Sequence, residues 1–406
     1  MGYGWGARAR SWVAVAVVII VALAVVGGLA YYYASHHAAT STAARSSISK
    51  AATSSSVSAP STTVRRSVTT YTTAGRTTSR PASMSGAVSY VVVKDALGRE
   101  VKVRVPVRRI ITWYSLAPPF LYLLGAGKEF IAGWTWSTSF YKLIDPNISE
   151  KVAYGRNLGV EQIIKMRPDL VITAKWYANR RIFKQLEGVG IPVLYVNLES
   201  VKGIENTIKI LGKVLQRESL ANRIIQYYNS VVSNITSKLK DVKVRPKVLI
   251  LYYSHRHHSF RTFGGDMFQS RLIEMAGGVS VSQNLTGKKD VNDEQIVKWD
   301  PDIIIIIRYG GPSGEEVRKM IMNDKALRYV KAVREGRVYV VPNDGENWVD
   351  PCPKWVLGLA WLAKTLHPNA FKNLNITNMA ATFYREFFNI SIKEVHITGD
   401  LESGPK

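Results

Sequence analysis

Apolar residues recur along this chain in three rhythms, and each predicts a different kind of element. From 12 to 34 it reads WVAVAVVIIVALAVVGGLAYYYA, without a charge. A helix of that length, at about 1.5 Å per residue, crosses a ~30 Å hydrocarbon layer, so the run predicts a transmembrane segment. Short continuous apolar runs at 109–112, 130–133, 170–173 and 192–196, and again at 247–252, 303–307 and 338–341, predict strands covered on both faces. Residues 201–240 lie between the two sets and contain no proline. Their apolar positions, from Ile204, Ile208 and Leu211 to Tyr228, Val231 and Ile235, recur at three and four. They predict one long helix, or two with a break near 217–219. A hairpin over 90–105, turning at Ala96-Leu97-Gly98, precedes the first strand set. Pro353 opens a last core helix that runs to Leu366.

Two stretches repeat. Glu161 begins EQIIKMRPDLVIT and Glu294 begins EQIVKWDPDIIII. In each, a short helix is stopped by the proline and a β-branched run follows. A helix–turn–strand unit used twice predicts an α/β fold of two Rossmann-like lobes joined by a long rigid interdomain helix. The expected organisation is a cytoplasmic N-terminus (1–11), a transmembrane anchor or signal (12–34), a stalk (35–87), an N-terminal lobe (88–200), the interdomain helix (201–241) and a C-terminal lobe (242–406).

Composition sharpens the N-terminal part. Of the 48 residues 39–86, 24 are Ser or Thr, and large apolar residues are few. Such a segment cannot bury enough surface to offset its ordering entropy, which predicts a disordered stalk open to O-glycosylation. The formal net charge is +24, from 54 Lys+Arg and 30 Asp+Glu, and residues 1–87 hold eight of the bases and none of the acids. In the remainder the two signs are interspersed, without a helix-turn-helix, zinc-finger or RNP pattern. A solvated basic surface is therefore preferred to a nucleic-acid partner. Arg8 and Arg10 before the apolar run, and Tyr31, Tyr32 and Tyr33 closing it, place the bulk of the chain outside a cell membrane. A cleaved signal would have an apolar core of only about 7–15 residues, which favours a retained single-pass anchor. The lone cysteine, Cys352, excludes a disulfide scaffold and a cysteine-based metal site, and its position near the end excludes an anchoring lipid. Sequons at Asn147, Asn234, Asn284, Asn375 and Asn389 make N-glycosylation of an exported domain an expectation.

The segments DALGREVKV, LYLLGAGKEFIAGW, the paired EQIxKxxPD units, LIEMAGGVSV and WVLGLAWLAKTLHP follow one another over about residues 88–390. Together they resemble the periplasmic binding proteins of iron–siderophore, heme and cobalamin ABC importers. The resemblance implies a class III-like two-lobe binding protein, not an enzyme and without an intrinsic cofactor. It would hold a metal chelate of iron or cobalt between its lobes and deliver it to a membrane permease and its ATPase. It also implies that one exposed carboxylate per lobe docks on the permease. Glu161 and Glu294, at the same place in the two repeats, are the candidates, unless they serve only their helix dipoles. An anchor and stalk in place of a lipid-modified cysteine depart from bacterial relatives and point to an archaeal-type cell surface. Molybdate, tungstate or a free divalent metal is the rival ligand. The rival classes are an extracytoplasmic metal-dependent enzyme and a surface receptor without transport. Against an enzyme, the chain has no His-Glu-x-x-His, no Gly-x-Ser-x-Gly and no glycine-rich phosphate loop.

Ligands of open α/β sheets bind beyond the carboxyl ends of the strands. The candidate contacts are therefore Trp113, Tyr114, Trp134, Trp136, Lys175, Trp176, Tyr177, Tyr253, His255, Arg256, Arg308, Tyr309 and Trp348. Five of the ten tryptophans fall there, which points to a concave aromatic site with a few cations, suited to a large anionic or partly apolar chelate. Several readings stay open. Trp134 and Trp136 either line the ligand or pack their own rim, and Lys175 and Arg308 either touch it or are ordinary surface cations. His255 and His257 either ligate a metal or belong to a polar loop.

Overall fold

Alternation within the strands decides the layering. The computed structural model describes residues 89–153 and 158–402. The apolar run at 12–34 and the stalk lie outside the described residues. Among the described residues no helix is long and apolar enough to cross a membrane. Strands β1 (Ser89–Lys94) and β2 (Glu100–Val105) form the expected antiparallel hairpin. Its turn is held by Asp95, whose carboxylate accepts from Leu97 N and Arg99 N and pairs with the Arg99 guanidinium.

The first lobe then lays down β3 (Ile110–Thr112), helix α1 (Ala117–Leu123), β4 (Phe130–Ala132), α2 (Ile148–Ala153), α3 (Val160–Lys165), β5 (Leu170–Ala174), α4 (Arg181–Gly188) and β6 (Val193–Val196). Its four strands are parallel, in the order β4-β3-β5-β6. The connector is two helices, α5 (Val201–Val214) and α6 (Glu218–Leu239). The chain turns between them at Gln216, in the left-handed region at φ 57°. The helices approach so closely there that a Cβ on Gly212 would lie 2.5 Å from that of Ala221. Gly212→Ala should therefore destabilise the fold by about 1–3 kcal/mol in urea denaturation, and an unchanged midpoint would refute this packing.

The second lobe comprises β7 (Lys247–Ser254), β8 (Ser259–Phe263), α7 (Phe268–Met275), β9 (Val279–Ser280), β10 (Lys288–Val291), α8 (Asp293–Trp299), β11 (Ile303–Ile306), α9 (Gly314–Asn323), α10 (Lys331–Arg334), β12 (Val338–Val340), α11 (Trp355–Leu366) and α12 (Ile376–Phe388). Its sheet runs β10-β8-β7-β11-β12, with β9 also on β7. The core β7, β11 and β12 are parallel. On one side the sheet is not parallel, since β8 runs antiparallel to β7 and β10 antiparallel to β8. The polar composition of β10, KKDV, offers no apolar run to read. Pro353 precedes the last expected helix by two residues, so that helix begins at Trp355, and α12 follows it.

In each sheet one face has its own core and the other joins a shared one. Val171 and Ile111 pack with Phe183 and Ile163 on the outer face of the first lobe. Ile304, Ile306 and Leu249 pack with Ile296 and Val317 on the outer face of the second. The alternate residues Leu170, Ile172, Ile303, Ile305 and Ile250 belong to a single continuous core that also takes in α5, α6, α11 and α12.

The sequence repeat is a structural repeat. Ile163 and Ile296, at equivalent positions, are both fully buried. Arg167 and Asp300, the mismatched pair, share a left-handed backbone, with φ 46° and 41°. The aspartate of each Pro-Asp ties its strand to a neighbour. Asp169 Oδ2 accepts from the backbone N–H groups of Arg108 and Arg109 at 2.8 and 2.9 Å, and Asp302 Oδ2 from that of Lys247 at 2.7 Å.

A charged seam joins the lobes. Phe140 and Tyr141, from the segment after β4, enter the second lobe, with Phe140 packed on Tyr384 and Phe388 at 5.3 and 5.0 Å. The fully buried Lys354 Nζ lies 2.5 Å from Glu346 Oε2, 3.1 Å from Asp344 Oδ2 and 4.2 Å from the Phe140 ring centroid. Tyr141 OH donates to Glu346 Oε2 and Tyr384 OH to Asp344 Oδ2, each at 2.7 Å. Burial works against the Lys354 charge, but Asp344 and Glu346 outweigh it and raise its pKa.

Candidate functional site

Loops at the carboxyl ends of the first lobe's strands supply one half of the site. Beyond β3, Trp113 packs with the outer core of its own lobe. Its Nε1 donates to Leu158 O at 3.2 Å, and its ring meets Phe183 edge-on at 5.6 Å. Tyr114, the next residue, is buried on the shared-core side. Its ring meets Trp176, 46% exposed, at 5.1 Å, and its hydroxyl donates to Glu199 Oε1 at 3.4 Å. Burial and then the Glu199 charge push the Tyr114 phenol well up. Tyr177 packs on Trp113 and Trp176, with Arg180 above its ring. Trp134 and Trp136 meet edge-on at 4.5 Å, with Trp136 67% exposed. Lys175 is exposed.

The second lobe supplies an aromatic frame around a lysine. Lys288 Nζ lies 4.9 Å from the Tyr309 ring centroid, 5.4 Å from that of Phe263 and 5.6 Å from that of Tyr252. These rings come from β7, β8 and the loop after β11, and Tyr252 and Tyr309 meet edge-on at 5.0 Å. Tyr309 OH donates to Asp350 Oδ1 at 2.5 Å, where Gln269 Nε2 also donates, and Asn347 Nδ2 donates to Asp350 Oδ2. Burial raises the Asp350 pKa against the pull of these donors. Asn347 also fixes the loop after β11, accepting from Arg308 N and donating to Arg308 O.

Glu199 and Lys288, from opposite lobes, act on each other electrostatically. Desolvation raises the Glu199 pKa, opposed by Tyr114, Lys288 and Lys175. Desolvation lowers the Lys288 pKa, opposed by the charges of Asp350 and Glu199. Lys288, Glu199, Tyr252 and Asp350 are absent from the sequence-derived contacts, because none directly follows an apolar run that reads as a strand.

Other expected contacts lie elsewhere. Tyr253 packs on Phe260 and the outer core, and the inward residue is its neighbour Tyr252, since strand side chains alternate. Trp348 is fully buried in the shared core, where α11 approaches so closely that a Cβ on Gly358 would fall 2.1 Å from Trp348 O. It presents no surface to a ligand. His255, Arg256 and His257 lie in the exposed turn between β7 and β8, with the His255 and His258 rings 5.6 Å apart. Among the described residues no three His, Cys, Asp or Glu side chains group to hold a metal ion, so the expectation of a metal at His255 and His257 gains no ligand set. Arg308 is exposed. All five sequon asparagines are exposed. Glu161 and Glu294 are exposed in the first turns of α3 and α8. A cavity of about 450 Å³ lies between the β1–β2 turn and the start of α5, lined in part by Asn197 and by Ser200, which caps the helix through Gly203 N.

The family profile described as "Periplasmic binding protein" matches residues 115–344. The molybdate-binding protein MolA of Haemophilus influenzae is 22% identical over 331 residues, 74% of this chain and 92% of its own length. A high-affinity heme uptake system protein of Staphylococcus aureus is 29% identical over 194 residues, 44% of this chain and 62% of its own length. The solved periplasmic solute binding protein of Veillonella parvula superposes with a TM-score of 0.65 at 23% identity, over 75% of this chain and 94% of its own.

Proposed function

Because the chain belongs to the periplasmic binding protein family, we propose that it is the substrate-binding protein of an ABC importer, and that its ligand is a metal chelate such as a ferric siderophore, heme or cobalamin. It would work outside the cytoplasm and pass its cargo to a permease and ATPase. The class III architecture, with a helical connector between two lobes, accords with the α5–α6 pair and the two sheets. The observation that carries the ligand reading is a set of rings beside a charged side chain in each lobe. In the first lobe Tyr114, packed on Trp176, donates to Glu199, and in the second Tyr252 and Tyr309 flank Lys288. Aromatic faces with a cation recognise a ligand that has apolar surface and negative charge, such as a chelate. The Haemophilus relative, a molybdate-binding protein by name, supports a second reading in which the ligand is a small oxoanion.

A calorimetric screen of the purified full chain against a ferric catecholate, a ferric hydroxamate, hemin, cobalamin, molybdate and zinc decides between them. Binding of one of the first four is the expected result. Binding of molybdate alone would select the second reading, and binding of zinc alone or of nothing would reject both.

A further inference from the structure

The hairpin that opens the first lobe has two unlike faces. Val93, Val101, Val103 and Val105 are buried in the shared core, so alternation turns Tyr90, Val92 and Lys94 of β1 outward together with Glu100, Lys102 and Arg104 of β2. The register sets Tyr90 opposite Arg104 and Val92 opposite Lys102, and Lys102 Nζ lies 4.4 Å from the Tyr90 ring centroid. A face that met only water would have no need of large apolar side chains. Yet Tyr90 is 51% and Val92 46% exposed, side by side on one strand, and Leu97 at the turn is 41% exposed.

The basic character continues onto α5. Lys202, Lys209 and Lys213 are exposed on that helix, and Lys213 Nζ donates to Val92 O at 3.1 Å, so hairpin and helix present one continuous surface. Lys94, Lys202 and Lys209 also line the cavity between the two. Among the described residues none of Lys94, Lys102, Arg104, Lys202, Lys209 and Lys213 is in an ion pair, and the acids on the same elements are only Glu100 and Glu205. Asp95 and Glu187 beside the turn are both paired with Arg99. The surface is thus an apolar pair ringed by unanswered positive charge. Its place in the chain points to what meets it. β1 is the first described element after the apolar run at 12–34 that predicts a transmembrane segment, and residues 35–88 between them contain no acid with which to occupy a basic face.

We infer that the outer face of β1 and β2, with the adjoining side of α5, rests on an anionic lipid surface. Tyr90 and Val92 enter the headgroup layer, where an aromatic ring with a polar tip is at home, and the six bases meet lipid phosphates. A chain tethered just upstream keeps this face within reach of the membrane, so contacts that are weak singly suffice together. The inference goes beyond the proposed function and holds whatever the ligand is.

The test places the full chain in bilayer discs of phosphatidylcholine alone and in discs with about a third phosphatidylglycerol, and follows backbone hydrogen exchange. The tether is the same in both, so lipid charge alone separates them. Exchange in the hairpin and α5 should be at least about fivefold slower on the anionic discs, the weight of a single base near such a surface. High salt should remove the difference. The double variant Lys102→Glu with Arg104→Glu should lose it too, with exchange in the second lobe unchanged as the sign that the variant is folded. Should that variant unfold, Lys102→Gln with Arg104→Gln replaces it and should keep only part of the difference. Equal exchange on the two kinds of disc, association with neither, or undiminished slowing in a folded variant overturns the inference and leaves the proposed function standing. Slowing that is the same on both discs and grows with protein concentration identifies a second copy of the chain as the occupant, and overturns it as well.

Discussion

Lys354→Met should lower the stability of the fold by about 3–5 kcal/mol, the range expected when one member of a buried ion cluster is removed. The reason lies in what remains. Asp344 is fully buried and Glu346 nearly so, and Lys354 is the cation paired with both. Two tyrosine hydroxyls still donate to them, but neutral donors do not offset two buried negative charges. Urea denaturation at neutral pH measures the loss. The deficit should shrink as pH falls, because the stranded carboxylates then take up protons that the unfolded chain does not bind until lower pH. Burial already pushes Glu346 upward with the lysine present. A triple variant, Lys354→Met with Asp344→Asn and Glu346→Gln, should recover most of the stability. A loss under about 1 kcal/mol in the single variant would show that the cluster is solvated.

The second large effect concerns transport. Reversing both Glu161 and Glu294 to lysine should reduce uptake into cells on the order of a hundredfold and leave ligand affinity unchanged, as expected for charges that meet a basic partner. Each helix feeds the amino end of its strand, so both glutamates lie toward the carboxyl edges of the sheets. Beside each lies an exposed apolar residue at the same repeat position, Ile164 at 38% and Val297 at 43% exposure. Single reversals should give intermediate losses, because the two patches are equivalent. Undiminished uptake by the double variant would remove the docking role, and weakened ligand binding would show that the glutamates serve the ligand instead.

How far the sequence carried differs between the fold and the site. The repeat was legible because its residues do the same mechanical work twice. Ile163 and Ile296 face inward, Arg167 and Asp300 share a left-handed backbone before the proline, and Asp169 and Asp302 knit strand heads together. The central strands were legible because Ile303–Ile306 is apolar on both faces. That same property hid which residue of a strand faces the ligand side. Tyr252 and Tyr253 are chemically alike, and only the pairing register separates the inward ring from the outward one. Lys288 was missed because it lies on a short polar strand visible only through its pairing with β8. Trp348 was misplaced because an apolar side chain near a strand end fits a rim and a core equally well. Its burial depends on Gly358, ten residues on, leaving room for its backbone.

The core that runs unbroken from the first sheet through α5, α6, α11 and α12 to the second bears on how an empty protein differs from a loaded one. Lobes that share their interior, and are riveted by Phe140, Tyr141 and Lys354, cannot swing apart like the halves of a shell without tearing dry contacts. Only small movements at the mouth are inexpensive. Filling the site would therefore change the outline of the two lobes little, and a loaded form would differ from an empty one mainly at the surface near its mouth.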